Sequence, residues 1–106
     1  MRVIDMSDIL KAAGYHPEAD GKFKLPPGQE VCDKAAAAAL SMVPWKPGDP
    51  PPDDVLLTGF GTVPIYMAVA HALHGRVPAL HYEAPSWPLT CIYSHKPKEA
   101  SGGTPD

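Results

Sequence analysis

The chain has few cysteines, and their spacing excludes two classes of small protein. Cys32 and Cys91 form neither a CxxC pair nor any other metal-ligand spacing, so we expect neither a disulfide framework nor a zinc-ribbon site. We expect both to be buried as small apolar side chains, as in a reduced, intracellular protein.

The chain also lacks an excess of basic residues. Nine Lys and Arg stand against twelve Asp and Glu, which gives a formal charge of -3. Nonspecific affinity for duplex DNA comes mainly from many Lys and Arg contacts to phosphates. Duplex DNA is therefore not the expected partner, whereas a small anionic ligand held by a few local donors is compatible with this charge.

Long apolar runs are missing as well. No stretch is long enough to span a bilayer, and the first ten residues, MRVIDMSDIL, carry Asp5 and Asp8 where a signal peptide needs an uncharged apolar segment. We therefore expect a cytoplasmic protein without contact to a membrane.

Proline, glycine and apolar residues are abundant enough to define the overall organisation. The 106 residues include 14 prolines and nine glycines, yet 44% are hydrophobic, which is typical of a globular core with long loops. We predict a single α/β domain over residues 1–95 with a proline-rich connector at 43–54, followed by a flexible tail over 96–106. A domain this small leaves much surface exposed, which favours a homodimer or a higher homo-oligomer.

The order of elements predicts a parallel sheet. A first strand near residues 2–5 is followed by a short helix capped by Ser7 or Asp8, and a helix in PPGQEVCDKAAAAALSM ends before Pro44. The remaining elements are a strand in VLLTG, a helix in VPIYMAVAHALHG and strands in VPALHY and LTCIYSH. A strand, helix, strand sequence predicts a right-handed crossover between two parallel strands.

A glycine turn stands between the predicted strand VLLT and the helix that follows it. Gly59 and Gly61 flank Phe60, and glycine lets the backbone approach a ligand while the helix start offers N–H groups to an anion. A tight turn without any ligand explains the pattern equally well, because neither a third glycine nor a P-loop lysine follows.

Two histidines lie three residues apart at the end of the predicted helix. His71 and His74 project from one side, next to the stripe of Tyr66, Val69 and Leu73 that should face the sheet. They are candidate ligands or proton carriers. The alternative is that they only stabilise the helix C-terminus, by roughly 0.3 to 1 kcal/mol each.

A carboxylate and a further histidine follow on the last two strands. Glu83 ends a strand, where ligands collect in parallel sheets, and His95 closes the final strand. Singly, each would be a solvated surface group. Together with the helical histidines they form a set suited to Mn or Zn and to moving protons on a ribose hydroxyl or a leaving oxygen. No Ser or Cys nucleophile with a partner base is visible, and Glu83 alone is too few carboxylates for a glycosidase pair. The prediction is therefore phosphodiester chemistry.

The motifs from Val55 to His95 resemble a known family, the CRISPR-associated ring nucleases of the third class (the Csx-three or Crn-three proteins). The similarity lies in TGFG, in AHALH of 70–74, in VP of 77–78, in YEAP of 82–85 and in YSH of 93–95. The resemblance implies a minimal CARF-like, Rossmann-type domain that dimerises and binds cyclic tetra-adenylate between assembled dimers. It implies cleavage of this messenger of type III CRISPR defence, with manganese supporting activity on RNA.

The resemblance also implies roles for individual residues. His74, Glu83 and His95 would be catalytic, and His71, His74 and Glu83 would hold the metal. Substrate binding would fall to Gly59, Phe60, Gly61, Arg76 and Ser94, with Arg76 supplying the charge of a family arginine that Ser86 replaces here.

Two further functions stay open from the sequence. Because of that replacement, the chain is also compatible with a noncatalytic sensor or sponge that binds the messenger without cutting it. A third possibility is an oligomerising domain whose histidines bind only a structural ion or nothing.

Overall fold

Residues 1–84 and 86–95 are described by a computed structural model, and they form the predicted α/β fold. In chain order the elements are β1 (Arg2–Asp5), α1 (Met6–Ala12), α2 (Gln29–Met42), β2 (Val55–Thr58), α3 (Val63–His74), β3 (Ala79–Ala84) and β4 (Trp87–Ser94). The connector at 43–54 contains neither helix nor strand, as its prolines predict. The predicted flexible tail at 96–106 lies outside the described residues.

The four strands form one sheet in the order β1-β2-β3-β4. The pairs β1/β2 and β2/β3 are parallel, and β4 is antiparallel to β3. The parallel pairing of β2 with β3 confirms the prediction from the strand, helix, strand order. We call the end of the sheet where β1, β2 and β3 finish the carboxyl end, and the opposite end, where β4 finishes, the amino end.

The first strand passes directly into the first helix. The Asp5 side chain accepts a hydrogen bond of 2.8 Å from the Ser7 backbone N–H and so caps α1. The prediction of Ser7 or Asp8 as the cap is therefore wrong, because the helix already begins at Met6. None of the helices in the described residues is both long and apolar enough to cross a bilayer.

The core lies between the helices and one face of the sheet. Ile4, Leu57 and Leu80 on that face are buried, and α2 packs closely on α3 because its buried positions are mostly alanines. The other face carries Val3, which is 61% exposed. Cys91 is exposed and Cys32 is only partly buried, so the expectation that both cysteines are buried is wrong.

Candidate functional site

The predicted site residues lie at two ends of the sheet. The GFG turn follows β2 and Glu83 stands near the last residue of β3, so both are at the carboxyl end. Because α3 starts there and runs back along the sheet, His71 and His74 lie at the amino end, as does His95 after β4. From the start of β3 at Ala79 to Glu83 the strand advances about 13 Å, at about 3.3 Å per residue.

At the amino end, the structure brings two histidines into contact. The Nε2 atoms of His74 and His95 are 2.9 Å apart, and both side chains are exposed. The His95 backbone N–H donates to the Pro78 carbonyl at 2.8 Å, which attaches the end of β4 to the start of β3. Since a neutral imidazole has one donor and one acceptor nitrogen, one Nε2 donates a hydrogen bond and the other accepts it, in roles that the tautomers set.

The Tyr93 ring packs against both histidines. Its ring lies 4.8 Å from the His74 ring and 5.2 Å from the His95 ring, measured between centroids. Its hydroxyl lies 2.9 Å from the Leu73 carbonyl and 3.1 Å from the Val77 carbonyl, both of which can accept its proton. Burial raises the pKa of Tyr93 to about 12. The histidines therefore pack against the Tyr93 ring, whose hydroxyl is fixed by hydrogen bonds at the C-terminal end of α3.

The raised pKa of Tyr93 predicts a loss of stability at alkaline pH. The folded state holds the phenolic proton more tightly than the unfolded state, so this contribution is complete below about pH 10 and is lost as the pH rises towards about 12. We expect the difference in unfolding free energy between wild type and Tyr93→Phe to shrink over that range in urea titrations. Parallel curves for the two proteins would contradict this assignment.

The other predicted residues at the amino end are placed differently. Nη1 of Arg76 donates to the carbonyls of Leu40 and Val43, at 3.3 and 3.0 Å, so this guanidinium caps the C-terminus of α2. Ser94 precedes His95 and is exposed, and His71 lies one turn before His74 on α3 and is exposed. Their roles in binding substrate or metal stay predictions, and Arg76 already has a structural task.

At the carboxyl end, the GFG turn is held tightly in place. Gly59 has φ +97°, and a Cβ there would collide with the Asp5 carboxylate; a Cβ on Gly61 would lie 2.9 Å from the Tyr66 ring. The Tyr66 hydroxyl donates to the Gly59 carbonyl. Burial, and then the neighbouring Tyr82 and Asp5, raise the pKa of Tyr66 well above its ordinary value. This rigid turn leaves Phe60 87% exposed.

An open cleft of about 640 Å³ lies beside this turn. It is lined by Thr58, Glu83, Ala84, Ser86, Trp87 and Pro88. The adjacency of β2 and β3 in the sheet brings Thr58 and Glu83 together at the ends of these neighbouring parallel strands. Sequence reasoning did not assign Thr58 to this site, although Thr58 is the last residue of a recognised strand; it considered Trp87 as a residue that stacks on adenine or merely packs.

The predicted metal set is not assembled within one chain. Among the described residues no group of three or more His, Cys, Asp or Glu side chains is close enough to hold a metal ion. His71 and His74 lie at the amino end and Glu83 at the carboxyl end. One chain therefore does not fit a manganese ion held by this set, and manganese as a cofactor stays a prediction.

Comparison with known proteins adds no relative. No family model, curated protein or solved structure matches this chain. Assignment of a function therefore depends on the side chains that the fold brings together at the two ends of the sheet. The amino end offers two imidazoles in contact, and the carboxyl end offers a carboxylate in a cleft with an aromatic wall.

Proposed function

We propose that the protein is a cytoplasmic phosphodiesterase of the ring nuclease type, which cleaves cyclic tetra-adenylate and so ends type III CRISPR signalling. The observation that supports this proposal is the contact between His74 and His95 on the surface. Imidazole changes charge near neutral pH, so one ring that holds a proton and one that does not can act as general acid and general base.

The histidine pair can carry both proton transfers of the cleavage reaction. The bound RNA must first separate the two rings, whose Nε2 atoms otherwise occupy each other. The unprotonated imidazole then takes the proton of a ribose 2′-hydroxyl, and the oxygen forms a bond to the adjacent phosphorus. The bond from phosphorus to the 5′ oxygen breaks, and the protonated imidazole gives its proton to that oxygen. The products are a 2′,3′-cyclic phosphate and a free 5′-hydroxyl, and each histidine ends in the state in which the other began.

Glu83 would join the histidines from a second copy of the chain. The histidines lie at the amino end, and Asp5 and Glu83 lie at the carboxyl end, so a protonated imidazole of one copy would be attracted to the carboxylates of the next. Stacking of copies end to end would place Glu83 of one beside His74 and His95 of the next. There it would orient an imidazole and stabilise its charged form. A ring held between assembled dimers of a CARF-like, Rossmann-type domain is what the resemblance implies.

The sponge is the second candidate, and the position of Arg76 favours it. The family arginine is replaced by Ser86, and Arg76 does not substitute for it freely because its guanidinium caps α2. A ring bound without this positive charge would gain less stabilisation of the transition state than of the ground state.

Incubation of the purified protein with cyclic tetra-adenylate, with and without Mn²⁺, tests the proposal. We expect linear fragments with cyclic phosphate ends, resolved by chromatography. Intact cyclic tetra-adenylate that elutes with the protein would contradict the nuclease proposal and support the sponge. Intact cyclic tetra-adenylate that does not bind would contradict both proposals and leave the oligomerising domain as the remaining function.

A further inference from the structure

Trp87 is exposed and yet held in one orientation. Its side chain is 59% exposed, and its indole N–H donates to Thr90 Oγ1 at 3.0 Å. The Thr90 hydroxyl in turn donates to the Pro88 carbonyl at 2.9 Å. Because the threonine proton and one of its lone pairs are both used, the indole has a fixed hydrogen-bond acceptor. A ligand that packs on this ring therefore loses little free energy to ordering it.

The surroundings of Trp87 favour a flat, partly polar ligand. The cleft it lines has about 640 Å³, within the range of small-molecule sites. The polar residues Thr58, Ser86 and Glu83 line the same cleft. A single aromatic wall among polar groups suits a heterocycle with hydrogen-bonding edges better than an apolar peptide.

A second aromatic side chain is displayed at the same end of the sheet. Phe60 lies two residues beyond Thr58, which lines the cleft, and it is 87% exposed. The turn that carries it is fixed by the contact of Gly59 with Asp5 and by the packing of Gly61 on Tyr66. Two exposed rings on rigid supports are what stacking on successive unpaired bases requires.

We propose that Trp87 is a stacking platform for an adenine of the cyclic oligoadenylate, with Phe60 as the platform for a neighbouring base. This inference rests on the proposed function and adds the residues that recognise the bases. Asp5 and Glu83 place negative charge beside the cleft, which disfavours a phosphate there, so binding acts on the neutral base. Trp87 thereby places a base beside Glu83, where the histidines of the next copy meet the ring.

Fluorescence of a protein with one tryptophan measures the contact directly. Trp45→Phe leaves Trp87 as the only indole, and His74→Ala in the same chain removes turnover. We expect cyclic tetra-adenylate to quench the emission of this protein, because adenine stacks on the indole, and ribose 5-phosphate to leave it unchanged. Absence of quenching by a ring that binds, as judged by equilibrium dialysis, would overturn the proposal.

Kinetics separate stacking from a structural role. We expect Trp87→Ala to raise KM by roughly 5- to 150-fold with little change in kcat, which corresponds to the loss of one stacked base. Trp87→Tyr should retain most of the affinity, and Trp45→Ala is the matched control that should change nothing. Circular dichroism checks that each variant is folded.

The possible outcomes distinguish this inference from the proposed function. Cleavage by wild type with an unchanged KM in folded Trp87→Ala would overturn stacking and leave the nuclease intact. Quenching of Trp87 fluorescence without any cleavage by wild type would support stacking, and it would favour the sponge over the nuclease as the function. A ring that neither quenches nor is cleaved would overturn both.

Discussion

An equimolar mixture of His74→Ala and Glu83→Gln, coexpressed so that chains mix, is expected to recover cleavage that each variant alone has lost. Each change removes a group that moves or stabilises a proton, for which a loss of about 100- to 10,000-fold is typical. The two residues lie at opposite ends of the sheet, so a site that needs both must take them from two copies. In a mixture, some contacts between copies combine an intact His74 with an intact Glu83.

The size of the recovery follows from random pairing. Half of the chains supply the histidine and half supply the carboxylate, so about a quarter of the contacts between copies should be active. His16→Ala, which removes an exposed loop histidine, is the matched control and should leave the initial rate of ring cleavage unchanged. An inactive mixture of folded, oligomeric variants would mean that His74 and Glu83 do not act in a shared site.

Gly59→Ala is expected to lower the free energy of unfolding by about 1 kcal/mol more than Gly48→Ala does. Both glycines have φ +97°, so both changes carry the same backbone strain, roughly 1 to 2 kcal/mol. Gly48 has no neighbour within 4 Å, whereas a Cβ on Gly59 displaces the Asp5 carboxylate from its position as the cap of α1. Loss of that cap adds about 1 kcal/mol, which urea unfolding resolves.

The double variant with Asp5→Ala tests the cause. Without the carboxylate there is nothing for the new Cβ to displace, so Gly59→Ala should then cost about as much as Gly48→Ala. Equal effects of the two glycine changes in the wild-type background would show that Asp5 still caps α1 after it moves.

Local patterns in the sequence were sufficient to predict most of the elements, whereas distant contacts were not. The helix that ends in His74 and the parallel pairing of β2 with β3 follow from periodicity and from element order. The pairing of β1 with β2 joins residues 2–5 to residues 55–58, and no short pattern encodes a contact over that separation. The Asp5 cap was missed because strand and helix follow without a loop.

The candidate site shows the same limit. Residue type and spacing selected the histidines and Glu83, and the contact of His74 with His95 is consistent with their being chosen together. The separation of Glu83 from them follows from the direction of α3, which returns from the carboxyl to the amino end. Thr90, which orients Trp87, had no signal in the sequence, because its hydrogen bond depends on the local shape of β4.

The agreement between strand order and chain order has a consequence for how the fold is reached. In the order β1-β2-β3-β4 each strand pairs only with the strand before or after it in the chain. No strand has to be inserted between two that are already paired, so the sheet can grow at one side as the chain leaves the ribosome. The slowest closure is the first one, because the loop between β1 and β2 is the longest of the three and chain entropy opposes it most.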